Sequence, residues 1–321
     1  MLFRSTPGRR MAALALTLPL VATGCGALTG DAGETEGGVV AAFYPLAFVA
    51  ERVAGEHVPV SNLTAVGGEP HDLELTVEET ARLAGAGLVI HQQGFQPAVD
   101  DAVEQNVEGD VLDVTDVVDL RPATDHSEEG HADEEHADHA DDEEHEHEHG
   151  DTDPHFWLDP LRMADVADAV ADRLADLDPD HAEEFAQNAA ALRADLEALH
   201  TEYADGLASC ERDTVVVNHD AFGYLAEYGL HLEPIVGLSP DAEPTPADLA
   251  RLQRLIRDEG ITTVFAERLD SPQAAEALAG DLGIDVEVLD PVEGLTTETQ
   301  GDDYLSLMRA NLELIREANG C

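Results

Sequence analysis

Residues 181–205 read HAEEFAQNAAALRADLEALHTEYAD. Phe185, Ala189, Leu192, Leu196, Leu199 and Tyr203 recur at steps of three and four, which places one apolar stripe along a single helix. No Gly or Pro interrupts it before Gly206. At 1.5 Å per residue its roughly 25 residues would reach about 37 Å. An ordinary globular helix is shorter, so the stretch is expected to be a rigid strut between two lobes. Asp178-Pro179-Asp180 separates it from an amphipathic helix expected over 161–177.

Strand and helix alternate on both sides of the strut. N-terminal to it, strands are expected at 39–43, 58–63, 87–91 and 111–114, with helices at 46–54, 96–104 and from the capping box Thr76-Val77-Glu78-Glu79 to about Ala84. C-terminal to it, strands are expected at 214–218, 235–236, 262–266 and 286–289. The helices there fall at 221–228, 245–259, 271–282 and 303–318. This pitch argues for βαβ units and parallel sheets. The expected fold is therefore α/β, with two parallel-sheet lobes joined by a long rigid helix: a lobe over 38–178, the linking helix over 179–209 and a second lobe over 210–321.

Composition narrows the chemistry. The 321 residues carry 69 Asp+Glu against 16 Lys+Arg, a formal charge of −53, and every basic residue is Arg. Neutralising phosphates needs Lys and Arg, so nucleic acid is excluded as the default partner. Such a surface suits cations. Three Cys exclude a disulfide-dense scaffold and a Cys₄ zinc module.

Residues 1–24 read as an address. Arg4, Arg9 and Arg10 precede an uncharged stretch, Met11–Ala22, which suits a secretory signal and is too short to span a bilayer. Ala22-Thr23-Gly24-Cys25 resembles a lipobox, with Ala22 where Leu is usual; an ordinary signal peptide with an incidental Cys is the alternative. On the lipobox reading, Cys25 is acylated and anchors the chain to the lipid bilayer outside the cytoplasm. Residues 25–37 then form a flexible tether. Cys210 and Cys321 would remain as an even pair, either bridged or as two thiols.

A low-complexity run over 125–153 holds 15 of the 69 acids together with His126, His131, His136, His139, His145, His147 and His149. Nothing in it can build a core, and it is expected to be a disordered loop that binds metal weakly. An acidic linker without metal function is the bland reading.

Three other histidines and one glutamate stand at strand–helix transitions or in loops. They are His71 in GGEPHD (67–72), His155 in DPHFWLDP (153–160), His219 in NHDAF (218–222) and Glu293 in LDPVEGL (289–295). In open α/β sheets, ligands sit beyond the carboxyl ends of strands. Two of these residues come from each half, so all four could meet in one interlobe cleft. Imidazole nitrogen with carboxylate oxygen suits tetrahedral Zn²⁺. The intervals of 84, 64 and 74 residues carry little weight by themselves. Neutral imidazoles are required, so affinity is expected to fall below about pH 6. Asp72, Asp153, Asp159 and Asp220 lie beside these histidines and are candidates to orient them or to cap local turns.

EPHDLEL, the acidic His-rich run, DPHFWLDP, the long helix, NHDAFGYLAEYGL, GLSPDAEPTPADL, TTVFAE and LDPVEGL follow one another in this order. Together with the lipobox they resemble the zinc-binding lipoproteins of bacterial ABC uptake systems, the ZnuA/AdcA-type solute-binding family, over essentially the whole mature chain. The resemblance implies two lobes bridged by a rigid helix and a metal held between them by His71, His155, His219 and a fourth ligand, either Glu293 or water. It implies capture of Zn²⁺ and delivery to an ABC permease served by a separate ATPase subunit, by a monomer that is not an enzyme. Manganese-selective relatives tend to carry a carboxylate where His219 stands, so this imidazole favours Zn²⁺ over Mn²⁺. The chain has no GxxxxGK[ST] and is not the ATPase. A zinc hydrolase and a surface adhesin are the competing classes; no nucleophile elbow or HExxH motif supports the first.

Overall fold

The computed structural model describes Met1 and residues 37–123 and 152–321. Cys25 and the seven histidines between 126 and 149 lie outside them. Two four-stranded sheets organise the remainder. The first contains β1 (Val39–Ala41), β2 (Val60–Asn62), β3 (Leu88–His91) and β4 (Asp110–Asp113), in the order β2-β1-β3-β4 and all parallel. A two-stranded antiparallel ribbon follows, made of β5 (Arg121–Pro122) and β6 (Thr152–Asp153). The second sheet contains β7 (Thr214–Val217), β8 (His231–Pro234), β9 (Thr263–Ala266) and β10 (Asp285–Val288), ordered β10-β9-β7-β8 and again all parallel. Numbered within its own half, each sheet has the order 2-1-3-4, so the chain uses one topology twice.

Among the described residues eight α-helices accompany the sheets: α1 (Tyr44–Ala54), α2 (Val77–Ala84), α3 (Pro97–Asn106), α4 (Pro160–Leu177), α5 (Ala182–Leu207), α6 (Pro246–Glu259), α7 (Gln273–Leu282) and α8 (Tyr304–Asn319). Their starts are written in local chemistry. Thr76 caps α2 and its backbone N–H is capped in return by Glu79, closing the expected box. Thr245 and Asp248 do the same for α6, with Pro246 in its first turn. Asp159 caps α4 through the N–H groups of Leu161 and Arg162.

The strut is α5. Its 26 residues span about 39 Å. Phe185, Ala189, Leu192, Leu196, Leu199, Tyr203 and Leu207 are its buried residues, and the first six are the stripe read from the sequence. A continuous apolar core joins the β1–β3 region, α1, α4 and α5 to α8 and to Val215 and Val217 of β7. Burying a large aliphatic or aromatic side chain contributes about 1.5–3 kcal/mol, so this stripe holds both sheets to one backbone. Tyr203 adds a buried hydrogen bond from its hydroxyl to the Met308 carbonyl of α8, 2.6 Å.

Two expectations change. The strand placed at 235–236 lies at His231–Pro234. Ile235 and Val236 are buried just past the strand, their N–H groups donating to Val217 O and Asn218 O. The helix expected at 221–228 is a 3₁₀ segment over Phe222–Tyr228. Cys210 and Cys321 form a disulfide, which fixes the end of α8 beside the entry to β7. No helix among the described residues is long and apolar enough to cross a membrane.

Candidate metal centre

Each of the four sequence candidates leaves a strand or a capped turn and points to the same place. His219 follows β7 and Glu293 follows β10. His71 sits between β2 and α2; His155 lies between β6 and a 3₁₀ turn, Phe156–Leu158. One donor atom from each of His71, His155, His219 and Glu293 lies within 4.8 Å of the other three. Glu293 Oε1 stands 3.5 Å from His71 Nε2, 3.4 Å from His155 Nε2 and 3.4 Å from His219 Nε2. The two buried imidazoles approach Nε2 to Nε2 at 3.3 Å.

Those edges have a simple reading. Zn–N and Zn–O bonds of about 2.0–2.1 Å in a tetrahedron set ligand–ligand edges of about 3.3–3.4 Å. The four edges given have that length, and the whole set lies within 4.8 Å, so a small inward shift of His71 would complete a tetrahedral zinc shell. His71 Nε2 and Glu293 Oε1 are both buried atoms without a hydrogen-bond partner of good geometry, a state that a cation between them would satisfy.

The other ring nitrogens explain why the lone pairs converge. Asp153 Oδ1 accepts from both the backbone N–H of His155, 3.0 Å, and its Nδ1, 2.8 Å. Glu267 does the same for His219: Oε1 accepts from the backbone N–H at 3.0 Å and Oε2 from Nδ1 at 2.7 Å. A carboxylate on Nδ1 keeps the proton there and turns the Nε2 lone pair to the cleft. Asp153 belongs to the first half and Glu267 to the second, so each lobe presents one clamped imidazole.

Asp153 was among the sequence candidates; Glu267 was not. The available signal was its place directly after β9, one residue nearer its strand than His219 is to β7. Asp159 proves to be the α4 cap. Asp220 donates its backbone N–H to Gly237 O. Asp72 lies beside Asp241, and the shared hydrogen bond raises its carboxyl above the usual range.

Burial and pairing compete at the centre. Burial pushes the Glu293 carboxyl up, yet the three imidazoles facing it, His155, His219 and His71, outweigh this and leave it well below the usual value. Burial lowers both His155 and His219, but Asp153 and Glu293 raise the first, and Glu267 and Glu293 raise the second well above an ordinary histidine. His71 is the most open member: its side chain is 15% exposed, against 0–3% for the other three. Its loop is held by Glu69, which accepts the backbone N–H groups of His71 and Asp72, and by Gln96, which donates to Pro70 O. Phe95 meets the His71 ring edge-on, and Trp157 meets the His155 ring in the same way. These rings give the centre a dry apolar wall.

The Glu293 turn carries the one non-glycine residue with a positive φ among those described. Val292 has φ +59° and is fully buried. A β-branched side chain in the left-handed region costs on the order of 1–3 kcal/mol. Its N–H donates to Asp290 Oδ1 at 2.8 Å. Asn311 grips Asp290 from α8, accepting its N–H at 3.0 Å and donating to its carbonyl at 2.6 Å. Trp157 Nε1 donates to Pro291 O at 2.8 Å, which ties this turn to the loop that bears His155.

Residues 39–318 match the sequence profile described as zinc-uptake complex component A, periplasmic (ZnuA). The chain is 34% identical over 292 residues to the zinc-binding lipoprotein AdcA of Streptococcus pneumoniae, covering 87% of this chain and 55% of that one. It thus spans about half the length of that relative. It is 31% identical over 294 residues to the high-affinity zinc uptake system protein ZnuA of Bacillus subtilis, covering 87% of this chain and 86% of the relative. Its fold matches the crystal structure of the Zn(II)-bound ZnuA-like domain of S. pneumoniae AdcA with a TM-score of 0.71 at 29% identity, over 89% of this chain and all of that domain. With its two parallel sheets, its long helix and its three-histidine, one-glutamate centre, the chain belongs to the ZnuA family of zinc-uptake binding proteins.

Proposed function

We propose that this chain captures Zn²⁺ outside the cytoplasmic membrane and hands it to an ABC permease, with His71, His155, His219 and Glu293 as the four ligands. The observation that carries this reading is the convergence of three Nε2 atoms and one carboxylate oxygen within 4.8 Å, with Glu293 Oε1 3.4–3.5 Å from each imidazole and the His155–His219 edge at 3.3 Å. Four-coordinate N₃O geometry suits Zn²⁺ better than Mn²⁺, which prefers six oxygen-rich ligands. With Glu293 as the fourth ligand no coordination position is left open for water, which is the arrangement of a binding site and not of a hydrolase. Zinc is the cargo, so the protein's work is to bind, orient and release it.

The lobes supporting this function are taken as 38–178 and 210–321, joined by 179–209. The continuous core along α5 supports a rigid pair, so release would come from local change at the cleft and not from wide hinge opening. Residues 1–24 would direct export, Cys25 would carry the lipid, and the chain would act as a monomer. His126, His131, His136, His139, His145, His147 and His149 would concentrate zinc weakly beside the cleft.

Calorimetric titration tests the reading. One tight Zn²⁺ per chain is expected, lost in the His71→Ala/His219→Ala double variant. Deleting 126–149 should remove weak binding and leave the tight site. Native affinity in the double variant, or loss of tight binding on loop deletion, would refute the ligand assignment.

A further inference from the structure

We infer that Asp290 is a positioning residue for the fourth ligand: by holding Val292 in a left-handed conformation, it delivers the Glu293 carboxylate to the three imidazoles and so fixes a four-coordinate, zinc-selective shell. This rests on the proposed ligand role of Glu293 and goes beyond it by naming what sets the coordination number.

Three observations meet at this turn. The first is the conformation of Val292. A buried valine does not adopt φ +59° by preference, so something must hold it there. The second is the holder. Asp290 Oδ1 accepts the Val292 N–H at 2.8 Å, an Asx-type turn that bridges two residues and ends one residue before the ligand. The third is the holder's own support. Asn311 fixes both backbone groups of Asp290, and Arg268 Nε lies 3.4 Å from Asp290 Oδ2. Asp290 itself is buried and its donor atoms do not belong to the metal set. Its carboxylate therefore acts on the metal only through backbone shape.

The consequence is chemical. A histidine ligand can be aimed by rotating its own side chain against a clamp, as Asp153 and Glu267 do. Among the described residues Glu293 Oε1 has no such clamp and faces the three imidazoles. Its aim comes from where the backbone places Cα. If the turn relaxes to ordinary φ, the carboxylate withdraws and solvent takes the fourth place. Three imidazoles with water admit five- or six-coordinate metals, which weakens the preference for Zn²⁺ and Co²⁺ over Mn²⁺.

The experiment uses the full chain loaded with Zn²⁺, Mn²⁺ or Co²⁺ alone. Asp290→Ala is expected to lose about tenfold to hundredfold in Zn²⁺ affinity, a range typical of supporting groups around a metal. The Co²⁺ absorption should change from an intense tetrahedral spectrum to a weak one of higher coordination, while the ratio of Zn²⁺ to Mn²⁺ affinity falls. A purely structural defect would lower thermal stability without this spectral change. Adding Val292→Gly should recover part of the tetrahedral spectrum, because glycine enters the left-handed region without steric penalty. If Asp290→Ala does not fold, Asp290→Ser serves, since a hydroxyl makes the same turn more weakly; an intermediate loss is expected. Wild-type affinity and an unchanged Co²⁺ spectrum in a folded Asp290 variant would overturn the inference while leaving zinc capture intact. Absence of tight Zn²⁺ binding by the wild-type chain would overturn both.

Discussion

His155 Nε2 and His219 Nε2 face each other at 3.3 Å, although each ring gives its Nδ1 to a carboxylate of its own lobe. Two imidazole lone pairs and the Glu293 oxygen thus share one small space, and only a cation relieves their mutual repulsion. Without metal, that cation is a proton. The raised values of His155 and His219 and the lowered value of Glu293 express this directly.

Zinc must therefore displace protons, and affinity should begin to fall at a pH above the ordinary histidine value of about 6.5. Titration in buffers of differing ionisation enthalpy should show net proton release at pH 7. An affinity that stays constant from pH 8 to pH 6 would contradict it.

The metal-free protein should respond to pH in the opposite sense. A histidine raised in the folded state contributes stability that is fully present below its unfolded value and is lost as pH rises through the folded value. Glu293, depressed in the folded state, contributes above the unfolded carboxylate value and loses this as pH falls through its folded value. The zinc-free chain should accordingly gain melting temperature on acidification from pH 8 to pH 6. The zinc-loaded chain should lose it over the same range. Parallel trends in the two forms would show that the centre does not hold these protons.

Glu267 holds His219 through both its backbone N–H and its ring. Glu267→Gln keeps the shape, but its amide can no longer accept at both oxygens. Zinc affinity should drop by about tenfold to hundredfold, with Glu267→Ala at least as weak. Equal affinity in wild type and Glu267→Gln, measured by competition with a chelator, would remove Glu267 from the centre.

Much of this was legible in the sequence, for reasons that differ by element. The α5 stripe at three and four residue steps needs no tertiary knowledge, because burial follows helical period. The strands β1, β3, β7 and β9 are short apolar runs buried along their length, as the core of a parallel sheet demands. His71, His155 and His219 were legible because they directly follow strands or sit in motif-bearing loops. Glu267 was not, since a lone acid after a strand looks like any solvated terminus until His219 is seen beside it. The ribbon β5–β6 also escaped notice: each strand is two residues long, and its pairing joins residues some 30 positions apart. The strand β8 was displaced because only Ile235 and Val236 form an apolar pair there, whereas the paired residues include His231, Glu233 and Pro234, which an edge position tolerates.

The β5–β6 ribbon yields another test. Tyr224 OH donates to Asp153 O and accepts the Arg121 N–H, so the 3₁₀ segment of the second half seats the strand that carries the His155 clamp. Gly223 lies directly under it. A Cβ there would stand 2.7 Å from Arg121 NH1 and 2.8 Å from Asp153 Oδ2. Gly223→Ala must therefore push Asp153, whose other oxygen holds His155. Zinc affinity is expected to fall severalfold with little loss of secondary structure. A crystal structure of the variant showing Asp153 and His155 unmoved would dismiss the coupling.

The disulfide separates stability from binding. Cys210 and Cys321 close a span of 111 residues, and the Glu211 and Arg212 N–H groups both donate to Asn319 O beside it. Closing a loop of that length contributes about 2–5 kcal/mol, chiefly by restricting the unfolded chain. The bridge lies before the entry of β7 and the metal centre beyond its exit, so the length of the strand, about 13 Å, stands between them. Cys210→Ser/Cys321→Ser should lower the unfolding free energy, measured by denaturant titration, by an amount in that range and leave Zn²⁺ affinity within about twofold. The backbone bonds to Asn319 should keep the end of α8 in place, so the loss reflects the unfolded ensemble more than the native one. A large loss of affinity in the double serine variant would mean that α8, through Asn311 and the Asp290 turn, transmits the change to Glu293.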